Sequence, residues 1–208
     1  MKNTIPDVVI RRLPRYYRYL SGLCERDIAH VSSQTMAREM NMTASQIRQD
    51  LSRFGEFGLQ GYGYTVKELR AEIGNILGVN NNRHLVIFGV GNLGRALMQN
   101  FDFSGAGFSV DAAFDIEPTI IGTAMKGVPV YSINTIDAYF RQHHVDVVAL
   151  TLPQDAAPKT VQYLIDLGIR YFWNFTNAEL GAGHSDVTFE NIRFADSLLR
   201  LSYQITHA

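Results

Sequence analysis

Cysteine is almost absent from this sequence: Cys24 stands alone among 208 residues. A lone thiol cannot close an internal disulfide, and with no second cysteine nearby a structural zinc site is not expected. Long apolar runs are lacking as well. The longest stretch without a charged side chain, His84 to Gly94, has eleven residues, well short of the roughly 18 that suggest a membrane span. Four arginines between Arg11 and Arg18 interrupt any apolar signal core, so the chain is expected to stay in the cytoplasm. A mainly disordered chain is excluded too, because 46% of the residues are apolar and only 19% charged. That balance suits one large or two ordinary domains.

The net charge of -1 hides an asymmetry. Residues 1–80 carry 11 Lys and Arg against 8 Asp and Glu, and the remainder 8 against 12. Arg11, Arg12, Arg15 and Arg18 face only Asp7 nearby, a clustering that can bind phosphate or can be a solvated helix face. The cut falls at residues 78–82, where a helical pattern ends in glycine and three asparagines follow before a new apolar run. Upstream, Ile10, Leu13, Tyr17 and Leu20 recur at helical spacing, with Arg11, Arg15 and Arg18 on another face. Ser32 or Ser33 can cap a short helix through Met40. Thr43-Ala-Ser-Gln46 reads as a capping box that opens a third helix to about Phe54. Two short helices joined by Asn41 and Met42 have the form of a helix-turn-helix.

In the third helix Ile47, Leu51 and Phe54 are expected to face inward. Ser45, Gln46, Arg48, Gln49, Ser52 and Arg53 remain outside. Arg pairs bidentately with guanine and Gln with adenine, while short hydroxyls suit phosphates. A three-helix bundle with a polar surface would look similar. The next ten residues, Gly55 to Tyr64, hold four glycines and three aromatics, Tyr62 among them, and suit a tight hairpin or wing. A helix from Val66 to Leu77 then closes a winged helix-turn-helix domain over residues 1–80.

Downstream, apolar strands at His84 to Phe88, Phe108 to Phe114, Val145 to Leu152 and Tyr171 to Phe175 alternate with helices. One helix is read from Asn134 to His143, and another is capped by Asp155 and ends at Gly168. This is the pattern of a parallel α/β sheet. Between the first strand and its helix lies Gly89-Val90-Gly91-Asn92-Leu93-Gly94. In such a loop the first glycine permits the tight turn, the second lets a pyrophosphate approach the backbone, and the third packs helix on strand. Asp115 ends the second strand 21 residues past Gly94, where a carboxylate bonds an adenosine ribose 2′-hydroxyl and repels a 2′-phosphate. NAD(H) is therefore favoured in a Rossmann-type domain. The end of the last strand, Asn174 to Thr176, is expected at the nucleotide crevice. A dehydrogenase is the obvious reading, yet only about 125 residues remain after the first domain and leave no room for a substrate domain of about 100. His143, His144 and His184 show no acid/base partner in the sequence.

The chain resembles the Rex family of redox-sensing transcriptional repressors along nearly its whole length. The likeness lies in Arg12-Leu-Pro-Arg-Tyr-Tyr-Arg-Tyr-Leu20, Ala44-Ser-Gln-Ile-Arg48, Phe54-Gly-Glu-Phe-Gly58, Gly61-Tyr-Gly-Tyr64, the glycine loop and Asn174-Phe-Thr176. That resemblance implies a homodimer with a Rossmann domain over residues 81–192 and an exchanged C-terminal helix in residues 193–208, from about Ala195 to Thr206. It also implies release from palindromic operator DNA by NADH, with binding permitted by NAD+, and no catalysis. Three departures bear on this. Leu59 and Gln60 stand where the family's wing is commonly basic, and Gln49 where a lysine is common, with Arg53 a compensating charge. Each lost phosphate contact would flatten the salt dependence by about one unit. The family's interdomain switch joins an arginine, matched by Arg18, to an aspartate and a tyrosine, whose positions hold Arg193 and Asn100 here. Two like charges would then meet, so redox coupling is expected to be altered or absent unless Asp196, one helical turn on, takes over the pairing.

Overall fold

Helix periodicity stops and strand alternation begins where one folding unit gives way to the next. The structure is a computed structural model. It describes residues 5–55, 58–59 and 63–207, with backbone only at 58–59, and it divides into Met1–Asn80 and Asn81–Ala208.

In the first unit the expected opening helix is broken in two. A short α1 (Asp7–Ile10) precedes α2 (Leu13–Glu25), and Pro14 lies in the first turn of α2, where a missing N–H leaves no bond unmade. The break changes the buried stripe. Leu13, Tyr16, Leu20 and Leu23 are buried, whereas Ile10 is 45% exposed and Tyr17 only partly covered. After β1 (His30–Val31), α3 (Ser33–Met40) starts on Ser32, whose hydroxyl accepts from Thr35 N at 3.0 Å. Asn41 ends α3 in a left-handed conformation. Thr43 then caps α4 (Ala44–Leu51), its hydroxyl accepting from Gln46 N at 3.1 Å. Helix α4, the third helix of the sequence reading, thus stops three residues earlier than expected. Ser52 bonds back to the carbonyl of Gln49, and a turn carries the chain through Phe54. Strands β2 (Gly58–Leu59) and β3 (Gly63–Thr65) pair antiparallel, and β1 joins the other side of β3 to complete a wing sheet. Helix α5 (Val66–Leu77) ends on left-handed Gly78 and packs on α2 through Leu69 and Ile73.

The second unit runs β4 (Arg83–Phe88), α6 (Asn92–Asn100), β5 (Phe108–Asp115), β6 (Ala124–Met125), β7 (Val128–Ser132), α7 (Ile136–Gln142), β8 (Val147–Leu150), α8 (Ala157–Asp166), β9 (Tyr171–Asn174), β10 (Thr188–Asn191) and α9 (Phe194–Thr206). Spatial order is β10-β9-β8-β4-β5-β7-β6, and every pairing but that of β6 with β7 is parallel. The chain steps from β4 through β5 to β7, then crosses back to place β8 on the other side of β4. Strand order reverses at β4, and a crevice opens there at the carboxyl ends of the strands. Central strands are buried on both faces. Phe88, Phe114, Val148 and Leu150 point to one apolar layer, and Leu85, Ile87, Ala113 and Ala149 to the other. Strands β7 and β10 had no counterpart in the sequence reading. Proline interrupts the first, and the second is a mostly exposed edge strand. Asp155 does not cap α8, which begins after Ala156 with Pro158 in its first turn. No helix among the described residues is long and apolar enough to cross a membrane.

Candidate functional site

The glycine loop leaves β4 at Phe88 and enters α6 at Asn92. Gly89 has φ of 97°, and a Cβ there would lie 2.7 Å from the carbonyl oxygen of Thr151. A side chain at Gly94 would meet the carbonyl oxygen of Gly89 at 2.1 Å. Both glycines are demanded by the protein itself. Gly91 is different, because nothing lies within 4 Å of its hypothetical Cβ and its φ of −70° suits any residue. Its emptiness is room on the outside of the loop, where a ligand's phosphates can reach the backbone. No side chain caps α6, so the N–H groups of Asn92 and Leu93 at its start remain for an anion.

Asp115 stands at the end of β5 as expected, and its carboxylate is partly used. Oδ2 accepts from Val90 N at 2.5 Å, and Oδ1 accepts from Ile116 N at 2.7 Å and Glu117 N at 2.9 Å. Val90 is fully buried, and its carbonyl accepts from Arg95 Nε at 2.8 Å. Sequence reasoning missed Thr151, whose hydroxyl donates to the carbonyls of Gly89 at 2.6 Å and Phe88 at 3.1 Å, tying β8 to the loop across the crevice. A hydroxyl at the end of an apolar strand was its only signal.

Asn174 calls for a correction. Its side chain is fully buried, with Oδ1 accepting from Thr176 N at 2.9 Å and Thr176 Oγ1 at 2.7 Å, while Nδ2 donates to Asn191 Oδ1 at 2.7 Å. An amide so engaged shapes the loop after β9 and ties it to β10, and has little left for a ligand. Arg193 serves the same loop from the start of α9. Its guanidinium donates to the carbonyls of Thr176 and, at 2.9 Å, Ala178, and it lies 3.7 Å from Glu179. Asn100 donates to the carbonyl of Ala96 at 3.0 Å within its own helix, and Arg18 and Asp196 are exposed.

In the first unit Ser45, Arg48, Gln49, Ser52 and Arg53 are exposed and Gln46 partly so. Ser52 and Arg53 follow α4 rather than lie on it. Arg48 is steadied by Ser33 Oγ at 3.1 Å. Arg11 pairs with Asp7 at 2.7 Å, and Arg15 donates to the carbonyl of Met40. Tyr62 and Gln60 of the wing lie outside the described residues. The arginine cluster itself is divided. Arg12 turns inward and grips buried Asp50 with Nε at 2.7 Å and Nη2 at 2.8 Å, and Tyr16 donates to the same carboxylate at 2.7 Å. Burial, and then the bond to Asp50, raise the Tyr16 phenol above its ordinary range. Asp50, a charge among the inward positions of α4, was the overlooked signal.

Two histidines do find carboxylates. His84 Nδ1 lies 2.6 Å from Asp111 and His144 Nε2 3.1 Å from Asp146. Both pairs sit at the amino ends of β4, β5 and β8, about four residues of strand or ~13 Å from the glycine loop. They are not placed to act on a crevice ligand.

Residues 4–52 match the family described as "Putative DNA-binding protein N-terminus", and residues 80–178 match the "CoA binding domain" family. The redox-sensing transcriptional repressor Rex of Clostridium botulinum (strain Hall) is 42% identical over 201 residues, 97% of this chain and 95% of that protein. Its namesake in Thermoanaerobacter sp. (strain X514) is 40% identical over 204 residues, 98% and 91% of the two chains. Among solved structures, RSP in complex with beta-NAD+ and operator DNA matches with a TM-score of 0.91 at 39% identity, over 99% of this chain and 94% of that one. RSP in complex with beta-NADH matches at 0.89 and 37%, over 99% and 96%. Identity at this level runs through the winged unit and the dinucleotide fold alike, and the chain belongs to the Rex family of redox-sensing transcriptional repressors.

Proposed function

We propose that this chain is a homodimeric repressor whose winged units bind palindromic operator DNA and whose second units bind NAD(H) as an allosteric ligand, without catalysis. One observation carries the reading. A winged helix-turn-helix with exposed polar and basic side chains on α4 shares a chain with an open, uncapped glycine loop. A relative of the same fold has been solved with both beta-NAD+ and operator DNA. Backbone groups of Gly89, Val90, Gly91, Asn92, Leu93 and Gly94 would receive the pyrophosphate, and Asp115 the adenosine ribose. The family match to CoA-binding domains fits the adenosine diphosphate end that CoA shares with NAD. A carboxylate at Asp115 disfavours the phosphorylated riboses of CoA and NADP. Ser45, Gln46, Arg48 and Gln49 would read the major groove, with Arg11, Arg15, Ser52, Arg53 and Tyr62 on phosphates. Such a protein works where the DNA is, in the cytoplasm.

Dimerisation through α9 is supported by its surface. Phe194, Leu198, Leu201 and Ile205 recur at spacings of four, three and four and are each more than half exposed. An apolar groove of about 330 Å³, lined by Leu85, Phe101, Phe103, Val147 and Trp173, offers matching surface on the same unit of a second copy. The switch at Arg18, Asn100, Arg193 and Asp196 is altered in this reading, because Arg193 is already committed to the loop after β9.

Fluorescence anisotropy of a labelled palindromic operator, titrated at fixed salt with NADH and then NAD+, tests the proposal. Nanomolar to micromolar binding is expected, with less than about a tenfold difference between the two dinucleotides, a coupling below about 1.4 kcal/mol. Release of a hundredfold or more by NADH alone would show an intact switch and refute the altered coupling. Failure to bind any DNA at low salt would leave a nucleotide-binding scaffold and sink the repressor reading.

A further inference from the structure

The glycine loop is gripped at one residue, Val90, through the peptide groups on both sides of it. Asp115 accepts from the N–H of Val90 and Arg95 donates to its carbonyl, so the turn between Gly89 and Gly91 is held by one acid and one base. With two further backbone donors on it, the Asp115 carboxylate is a fixed negative charge built into the loop. A pyrophosphate brings more negative charge to the same place. Helix α6 offers it only about half a positive charge at its N-terminus. A loop that holds an acid to select the ribose needs a cation close by.

Arg95 is placed to be that cation. Its own N–H closes the first turn of α6 on the carbonyl of Gly91 at 3.0 Å, so its side chain starts beside the opening at Gly91. Only Nε is used, on Val90. The terminal nitrogens have no hydrogen-bond partner among the described residues, and the residue is exposed.

We propose that Arg95 is a binding residue for the pyrophosphate of the adenine dinucleotide. Nε braces the Val90 carbonyl while the terminal nitrogens pair with a phosphate oxygen. A guanidinium suits this because its fixed fork serves a carbonyl and an oxyanion at once, whereas an ammonium is a single point charge. Arg95 also offsets Asp115, which then discriminates at the ribose without repelling the phosphates beside it. The inference rests on the dinucleotide reading above and adds to it a residue outside the glycine fingerprint.

Calorimetric titration of the wild type, Arg95→Gln and Arg95→Lys with NADH, ADP-ribose and NADPH, and with adenosine by displacement, separates the possibilities. Arg95→Gln is expected to weaken NADH, ADP-ribose and NADPH alike, by about tenfold or more, and to leave adenosine unchanged. Arg95→Lys should recover part of the loss. The salt dependence of NADH binding should flatten in the glutamine variant, and its stability should fall by no more than the loss of the one Nε bond to the Val90 carbonyl. Unchanged NADH affinity in Arg95→Gln would overturn the proposal. Equal loss for adenosine would make Arg95 a loop brace only, and a changed ratio of NADH to NADPH affinity would move it to the ribose; either result also overturns it. A wild type that binds none of the four ligands would refute the dinucleotide reading itself.

Discussion

Two glycines of one loop carry different constraints, and substitution separates them. At Gly94 an added methyl group meets the Gly89 carbonyl oxygen at 2.1 Å, and that oxygen is backbone already bonded to Thr151. Gly94→Ala is therefore expected to lower the melting temperature and abolish dinucleotide binding together. Gly91→Ala meets nothing in the protein. It should melt like the wild type while NADH affinity falls, because in the proposed binding mode the methyl group stands where phosphate approaches; thermal denaturation and calorimetry on the same samples check both. A third residue tests the first unit. Asp50 is 3% exposed and serves Arg12 and Tyr16 together. Asp50→Ala leaves a guanidinium and a phenol without their acceptor and should cost about 3 kcal/mol in urea unfolding. The Gly89 and Gly94 roles were legible in the sequence because a tight turn and a close helix–strand approach are requirements of the backbone itself. Asp50 was not, since its two partners are 38 and 34 residues away.

Elements follow local rules where their ends are local. Thr43 was read as the cap of the recognition helix, and its hydroxyl does accept from Gln46 N. An eight-residue helix depends heavily on that bond. Thr43→Ala should cost about 1 kcal/mol and weaken operator binding while NADH affinity stays unchanged, as anisotropy and calorimetry would report. Where ends depend on neighbours, the reading slipped. The first helix divides at Arg12 because that side chain is drawn to Asp50 and Pro14 restarts the helix. Strands β7 and β10 carry weak alternation and form because parallel neighbours, β5 and β9, supply their hydrogen-bond partners. Helix α9 has a clear apolar stripe and no buried side chain. Leu201→Asp should convert a dimer to monomer in sedimentation and remove the concentration dependence of the melting temperature.

Across the whole molecule, stability responds to pH through groups whose titration differs between folded and unfolded chains. Tyr19 and Tyr139 are pushed up to about 12 from an ordinary 10.0, chiefly by burial, then by the bond to Glu39 for the first and the charge of Asp111 for the second. Unfolded, they ionise near 10.0 while the folded chain keeps their protons, so stability falls as pH rises from 10.0 through about 12. At the acid end burial would raise Asp146, but the His84 N–H and the His144 ring outweigh it and hold the carboxyl below 3.8. Its contribution is present above that value and is lost as pH falls below it. Urea midpoints measured across both windows should decline at each end. The sequence alone determined the division near residue 80, the winged and dinucleotide-binding classes, and the loop that marks the crevice. Each is written in residues close along the chain, as periodicity, a cap or a required backbone angle. Only the tertiary structure decided that Arg12 serves the core and not phosphate, that Thr151 closes the loop from 62 residues away, and that Asn174 and Arg193 shape a loop. A polar side chain's role is set by which donor or acceptor packing brings within 3 Å, and spacing along the chain carries no record of that.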